Sequence, residues 1–154
     1  MNKKAIQDLY PDDYSHCYGC GRLNERGLQI KTIWNGKEGI TAFIPDKNQM
    51  SMPGFAYGGL IASVIDCSGT ATAVAAAYQD EGREPGSEPV IRYVTASLHV
   101  DYIKPTPIDC PLEIKTHVKE ITVRRIIISA ELSAGGILCA RGEVAAARIP
   151  SGMR

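Results

Sequence analysis

The stretch GGLIASVIDCSGTATAVAAAY, running from Gly58 to Tyr78, decides the fold. It carries almost only alanine, glycine, serine, threonine and aliphatic side chains, and at 1.5 Å per residue it makes a helix of about thirty ångström. A helix apolar on all sides is expected to be buried. A transmembrane reading fails because Asp66 would stand mid-span, at a cost of roughly 2.5 to 3.5 kcal/mol on insertion scales, among weakly hydrophobic alanines. The expectation is a core helix, with no membrane partner.

On the N-terminal side, Pro45 to Phe55 holds two prolines, a glycine and two methionines and reads as a loop of functional length. Before it, Leu28 to Trp34 alternates apolar and polar residues, Asn35-Gly36 supplies a turn, and Gly39 to Ile44 resumes an extended pattern, which together predict a β-hairpin. The segment through Asn24 reads as an N-terminal arm, with Pro11-Asp12-Asp13 starting a turn or short helix. On the C-terminal side, Asp80 to Pro89 reads as a solvated loop. Strand-like runs follow at Tyr93 to Ile103, Leu112 to Glu120, Arg124 to Ser133 and Ile137 to Arg148, and their short links predict antiparallel meanders. A hairpin, one long buried helix and then these strands give an α+β order, a curved antiparallel sheet wrapped around a central helix. Residues 1–154 are expected to form one domain, with 1–24 as arm, 25–148 as core and 149–154 as tail.

Seventeen basic residues balance seventeen acidic ones, so no general field draws in nucleic acid or an acidic membrane. The start, Met1 to Ala5, leads into polar residues rather than an apolar h-region, and the expected location is cytoplasmic. An odd count of five cysteines favours reduced thiols, with Cys67, Cys110 and Cys139 acting as small hydrophobes.

Between Lys47 and Asp80 the only charged residue is Asp66. A carboxylate taken from water without a partner is very costly, so Asp66 must be paired, hydrogen-bonded, shifted in pKa or open to a cleft. Its alternative reading is an aspartate that only caps or hydrogen-bonds in an interface. Tyr57-Gly58-Gly59 favours the functional reading, because unpaired N–H groups at a helix start point toward whatever binds there and glycines let it come close.

The run Tyr57 to Asp66, followed by Thr95-Ala96-Ser97-Leu98-His99-Val100-Asp101-Tyr102-Ile103-Lys104-Pro105, resembles the hotdog-fold acyl-CoA thioesterases, in particular the branch containing phenylacetyl-CoA thioesterases. In that family the helix typically begins His-Gly-Gly, with the catalytic acid nine residues after the histidine. Here Tyr57 takes the histidine's place, nine residues before Asp66. The opening His16-Cys17-Tyr18-Gly19-Cys20-Gly21, with Gly27-Leu28 beyond it, resembles the same proteins, so the likeness covers most of the chain.

The resemblance implies a homodimer or homotetramer with a continuous sheet and sites at the dimer interface. Each site would join Asp66 of one subunit to the helix start of its partner, since Gly59 and Asp66 of one helix are separated by about ten ångström of rise. The Gly59 N–H would polarise the thioester carbonyl, and Asp66 would activate water or attack directly as nucleophile. Thr95 stands where some members place an orienting hydroxyl, and Thr70, one turn after Asp66, is a second candidate; either also fits as a buried β-branched residue. Tyr57, Gly58, Met50, Met52 and Phe55 are expected to wall the acyl group. Arg92, Lys104, Arg124 and Arg125 are candidates for the coenzyme A phosphates.

No metal or redox cofactor is expected. His16, Cys17 and Cys20 offer a Cys-x-x-Cys beside a histidine, but no second pair follows at finger spacing. Cys67 reads as core rather than nucleophile, and His99 and His117 carry no expected role. Two rivals stand beside hydrolysis of an acyl-CoA substrate: a dehydratase, which needs the histidine that Tyr57 replaces, and a non-catalytic acyl-CoA sensor, which normally carries a DNA-binding extension.

Overall fold

The computed structural model describes residues 3–153. The helix, α1, runs Gly58–Asp80 and packs on a six-stranded antiparallel sheet. The strands are β1 (Thr32–Trp34), β2 (Gly39–Phe43), β3 (Tyr93–Tyr102), β4 (Leu112–Ile121), β5 (Arg125–Ala134) and β6 (Ile137–Arg148). Their order across the sheet is β1-β2-β4-β5-β6-β3. A curved sheet around one long helix is the hotdog arrangement that the resemblance implied.

Small residues let helix and sheet approach closely. A side chain at Gly69 would begin 2.6 Å from Val144 Cγ2, and one at Gly142 would begin 2.6 Å from Ile65 Cγ2. The two positions interlock α1 with β6, a contact that any larger residue would push apart. Leu60, Val64, Ile65, Ala71 and Ala75 of the helix meet Ile114, Ile126, Ile128, Leu132 and Val144 of the strands in the core.

The helix is buried on all sides but one, which corrects the expectation of full burial. Gly59, Ala62, Ser63, Asp66 and Thr70, spaced at helical intervals, form a stripe that the sheet leaves open. By length and composition α1 could cross a membrane, yet 78% of its most apolar window is buried inside the fold.

Two other expectations are corrected. Only Thr32–Trp34 of the predicted Leu28 to Trp34 strand pairs with β2. Gln29 takes a positive φ of 57° and donates its side-chain amide to Gly21 O and Asn24 O, while Leu28 and Ile30 bond back to Tyr18 and Gly19, so this segment belongs to the arm. The strands β4, β5 and β6 form the expected meander, but β3 does not join it next to β4. Residues 103–111 connect β3 to β4 along the loop that precedes α1, held by hydrogen bonds from Ala56 N–H to Thr106 O and from Ile108 N–H to Gly54 O. β3 therefore pairs outside β6 and forms a free edge, while β4 pairs with β2.

Candidate active site

Asp66 sits mid-helix on the open stripe, facing β3. Thr95 Oγ1 donates to Asp66 Oδ1 at 2.5 Å, and Thr70 and Thr95 hydroxyls stand 3.0 Å apart. Each hydroxyl has one proton. With the Thr95 proton committed to Asp66, Thr70 must donate to Thr95, which gives a directed chain Thr70 to Thr95 to carboxylate. A regular strand would leave the Thr95 orientation open, but the register of β3 shifts between Thr95 and Ser97. This bulge re-aims the side chain toward the helix.

Burial raises the pKa of Asp66, the Thr95 hydrogen bond lowers it, and nearby Cys17 raises it; the net direction is up. Among the described residues, Thr95 is the only hydrogen-bond partner of its side chain. Asp66, Thr70 and Thr95 line one cavity of about 320 Å³, within the size of small-molecule sites.

The arm supplies the facing wall of that cavity with Tyr10, Tyr14, Cys17 and Cys20. Arg92 lines it as well: its guanidinium lies 3.3 Å from the Tyr14 ring centroid and donates to Met153 O. Tyr14 OH and Arg92 Nε are buried without a hydrogen-bond partner among the described residues. The arm read in sequence as a peripheral segment, and its part in this wall was the site feature that sequence reasoning missed. Its signal was the Ala5-Ile6 pair, buried here together with Gln7, which anchors the arm to β1.

Cys67 is buried as expected, but its environment is not purely apolar, which corrects the reading of Cys67 as simple core. Its sulfur and those of Cys17 and Cys20 lie within 4.8 Å of one another. The Cys17 thiol is held far below its ordinary pKa by hydrogen bonds from Cys20 and then Cys67, and those two are pushed up by the same sharing with Cys17. Cys139 is buried and Cys110 half-buried. His99 is exposed beside Asp101, and His117 pairs with Glu38, both away from Asp66.

At the other end of the stripe, Tyr57 is the residue before α1, with extended backbone and no capping hydrogen bond from its side chain. The N–H groups of Gly58 and Gly59 have no acceptor among the described residues, as expected for a first turn. The Tyr57 ring lies over Gly59, where an added Cβ would begin 2.5 Å from Tyr57 Cε2. Gly58 O accepts a hydrogen bond of 2.7 Å from Tyr102 OH. Gly58, Tyr102 and Lys104 line a second hollow of about 300 Å³, separate from the Asp66 cavity.

Thus one chain brings Asp66, Thr70, Thr95 and Arg92 together, and groups Gly58 with Lys104 elsewhere. Met50, Met52 and Phe55 line neither cavity; Met50 and Met52 are exposed. Arg124 and Arg125 are exposed at the β4–β5 turn, also outside both.

A sequence profile of the thioesterase superfamily matches residues 53–140, which contain Gly59, Asp66, Thr70 and Thr95. The chain is a member of the thioesterase superfamily. Thioester hydrolysis is therefore the chemistry against which the superfamily member's site is read. It is similar to a thioesterase superfamily protein from Shewanella loihica PV-4, with 41% identity, a TM-score of 0.68, and coverage of 92% of this chain and all of that one. It is 31% identical to acyl-coenzyme A thioesterase THEM4 of Xenopus laevis over 93 residues, 60% of this chain and 36% of that protein. The match therefore spans little more than a third of that relative's length. The PaaI protein of the E. coli phenylacetic acid degradation operon shares the fold at 13% identity, with a TM-score of 0.65 over 80% of this chain and 81% of that one.

Proposed function

We propose that the chain hydrolyses an acyl-CoA thioester, with Asp66 as general base or nucleophile and the Gly59 N–H as carbonyl-polarising donor, and that two copies build each site. The observation that carries this reading is the directed chain from Thr70 through Thr95 to an isolated carboxylate on a cavity wall. A carboxylate held in one orientation, partly withdrawn from water, is suited to activating water or attacking a carbonyl. The acyl-CoA substrate is supported by the name of the Xenopus relative.

The two-chain site is supported by distance and by the free edge. Gly59 and Asp66 are separated by about ten ångström along α1, too far to act on one carbonyl, and they do not share a cavity. β3 is a ten-residue edge strand with exposed Val94, Leu98 and Tyr102. Long, apolar edges invite pairing with another chain, and a second β3 would bring a partner's helix start toward Asp66. The five free thiols suit a reducing compartment, and we place the protein in the cytoplasm.

The test is thiol release from a panel of straight-chain and aryl acyl-CoA thioesters, read at falling protein concentration beside the oligomeric state. Steady turnover that disappears as dimers dissociate is the expected result. Tight acyl-CoA binding without any turnover would overturn hydrolysis and favour a ligand-sensing module; an active monomer would overturn the two-chain site.

A further inference from the structure

The three sulfurs gathered on the arm side of the cavity come from distant parts of the chain: Cys17 and Cys20 from one turn, Cys67 from α1. Their closeness is built into the backbone. A Cβ at Gly19 would collide with Cys67 Sγ, so only glycine lets the turn press on the helix. The turn is held independently of the thiols, by hydrogen bonds from Gly21 N–H to Cys17 O at 2.8 Å, from Leu28 N–H to Tyr18 O at 2.8 Å and from Ile30 N–H to Gly19 O at 3.0 Å.

Metal–thiolate bonds of about 2.3 Å place sulfurs about 3.8 Å apart around a tetrahedral ion, a spacing this cluster reaches with small side-chain adjustments. Thiolates select soft ions such as Zn(II) or Cu(I) over Mg(II) and Ca(II). We propose that Cys17, Cys20 and Cys67 form a three-thiolate site for a thiophilic metal ion of the zinc class, reached from the Asp66 cavity. Cys20 and Cys67 are buried, while Cys17 is exposed and lines the cavity with them, so the ion has an entry path. His16 is exposed and lies outside the cluster, which leaves the fourth position to the cavity. On binding, three sulfur–metal bonds form, and each sulfur that still carries a proton gives it up to the buffer. The ion pins the arm to α1 one residue from Asp66, fixing the wall opposite the carboxylate.

The test is an anaerobic titration of the full, reduced chain with Cd(II), following thiolate-to-metal absorbance, then back-titration with Zn(II). One Cd(II) per chain, displaced by Zn(II), with three of the five thiols shielded from a thiol reagent, is the expected result. Cys17→Ser and Cys67→Ala should each weaken Cd(II) binding at least about tenfold, the lower end of what losing a mere supporting hydrogen bond to a ligand costs. Cys110→Ser should leave it unchanged. Because Cys17 is exposed, its variant keeps the proposal open to refutation even where Cys67→Ala fails to fold. No saturable absorbance in wild type, or Cd(II) binding to folded Cys17→Ser as tight as to wild type, would overturn it.

Discussion

Two sides of α1 are bridged to the sheet by hydroxyl groups, and they differ in kind. On one side Ser68 donates to Thr41 at 2.8 Å, Thr41 and Thr32 hydroxyls stand 2.8 Å apart, and Gln7 donates to Thr32 at 3.1 Å. All four residues are fully buried. On the other side Thr70, Thr95 and Asp66 form a chain of similar length that ends on a carboxylate open to a cavity. The closed network satisfies polar groups that burial would otherwise penalise. The open one keeps a charged group short of partners, and such groups are retained where they do chemistry. The same side-chain types serve opposite ends, and exposure to a cavity separates them.

The largest expected effect falls on the open side. Asp66→Ala should lower thioester turnover by roughly a hundredfold to ten-thousandfold, the range for a general base, while the circular dichroism spectrum stays that of wild type. Thr95→Val removes a hydrogen bond to a charged group, of about 1.5 to 3 kcal/mol, so turnover should fall about tenfold to a hundredfold while the unfolding free energy falls by no more than that amount. A Thr95→Val enzyme with wild-type kcat would break the chain drawn here.

The closed side should answer in stability alone. Thr41→Val strands the Ser68 hydroxyl in the core and leaves the Thr32 hydroxyl only its bond from Gln7, so urea unfolding should show a loss of about 1 to 3 kcal/mol with turnover per folded molecule unchanged. The smallest effect is expected at Tyr57→Phe. The phenol makes no hydrogen bond among the described residues and its ring only covers Gly59, so turnover should change by less than about tenfold, or 1.4 kcal/mol. A hundredfold loss would show that the phenol has taken over a histidine's contact.

The helix and its one charge were legible in sequence because composition and isolation are local properties: Gly58 to Tyr78 reads as buried, and Asp66 stands out from it. The strand runs were legible for the same reason, by alternation. Partners in the sheet were not, since nothing in residues 103–111 reveals that β3 crosses to the far edge beside β6. The β3 bulge that turns Thr95 toward Asp66 is likewise a pairing event, absent from any strand read alone. Cys67 gave no sign of Cys17 and Cys20, because the arm reaches it only through the close approach at Gly19. What sequence hides here are contacts between segments far apart in the chain.

The division between the two networks is tested most directly by Asp66→Asn and Ser68→Ala prepared side by side, with acyl-CoA turnover and urea unfolding measured on the same samples. Asn keeps the shape of Asp66 and removes a charge partly withdrawn from water, so its unfolding free energy should equal or exceed wild type while turnover is lost. Ser68→Ala should lose stability and keep its turnover per folded molecule. Near wild-type turnover in folded Asp66→Asn would contradict the account.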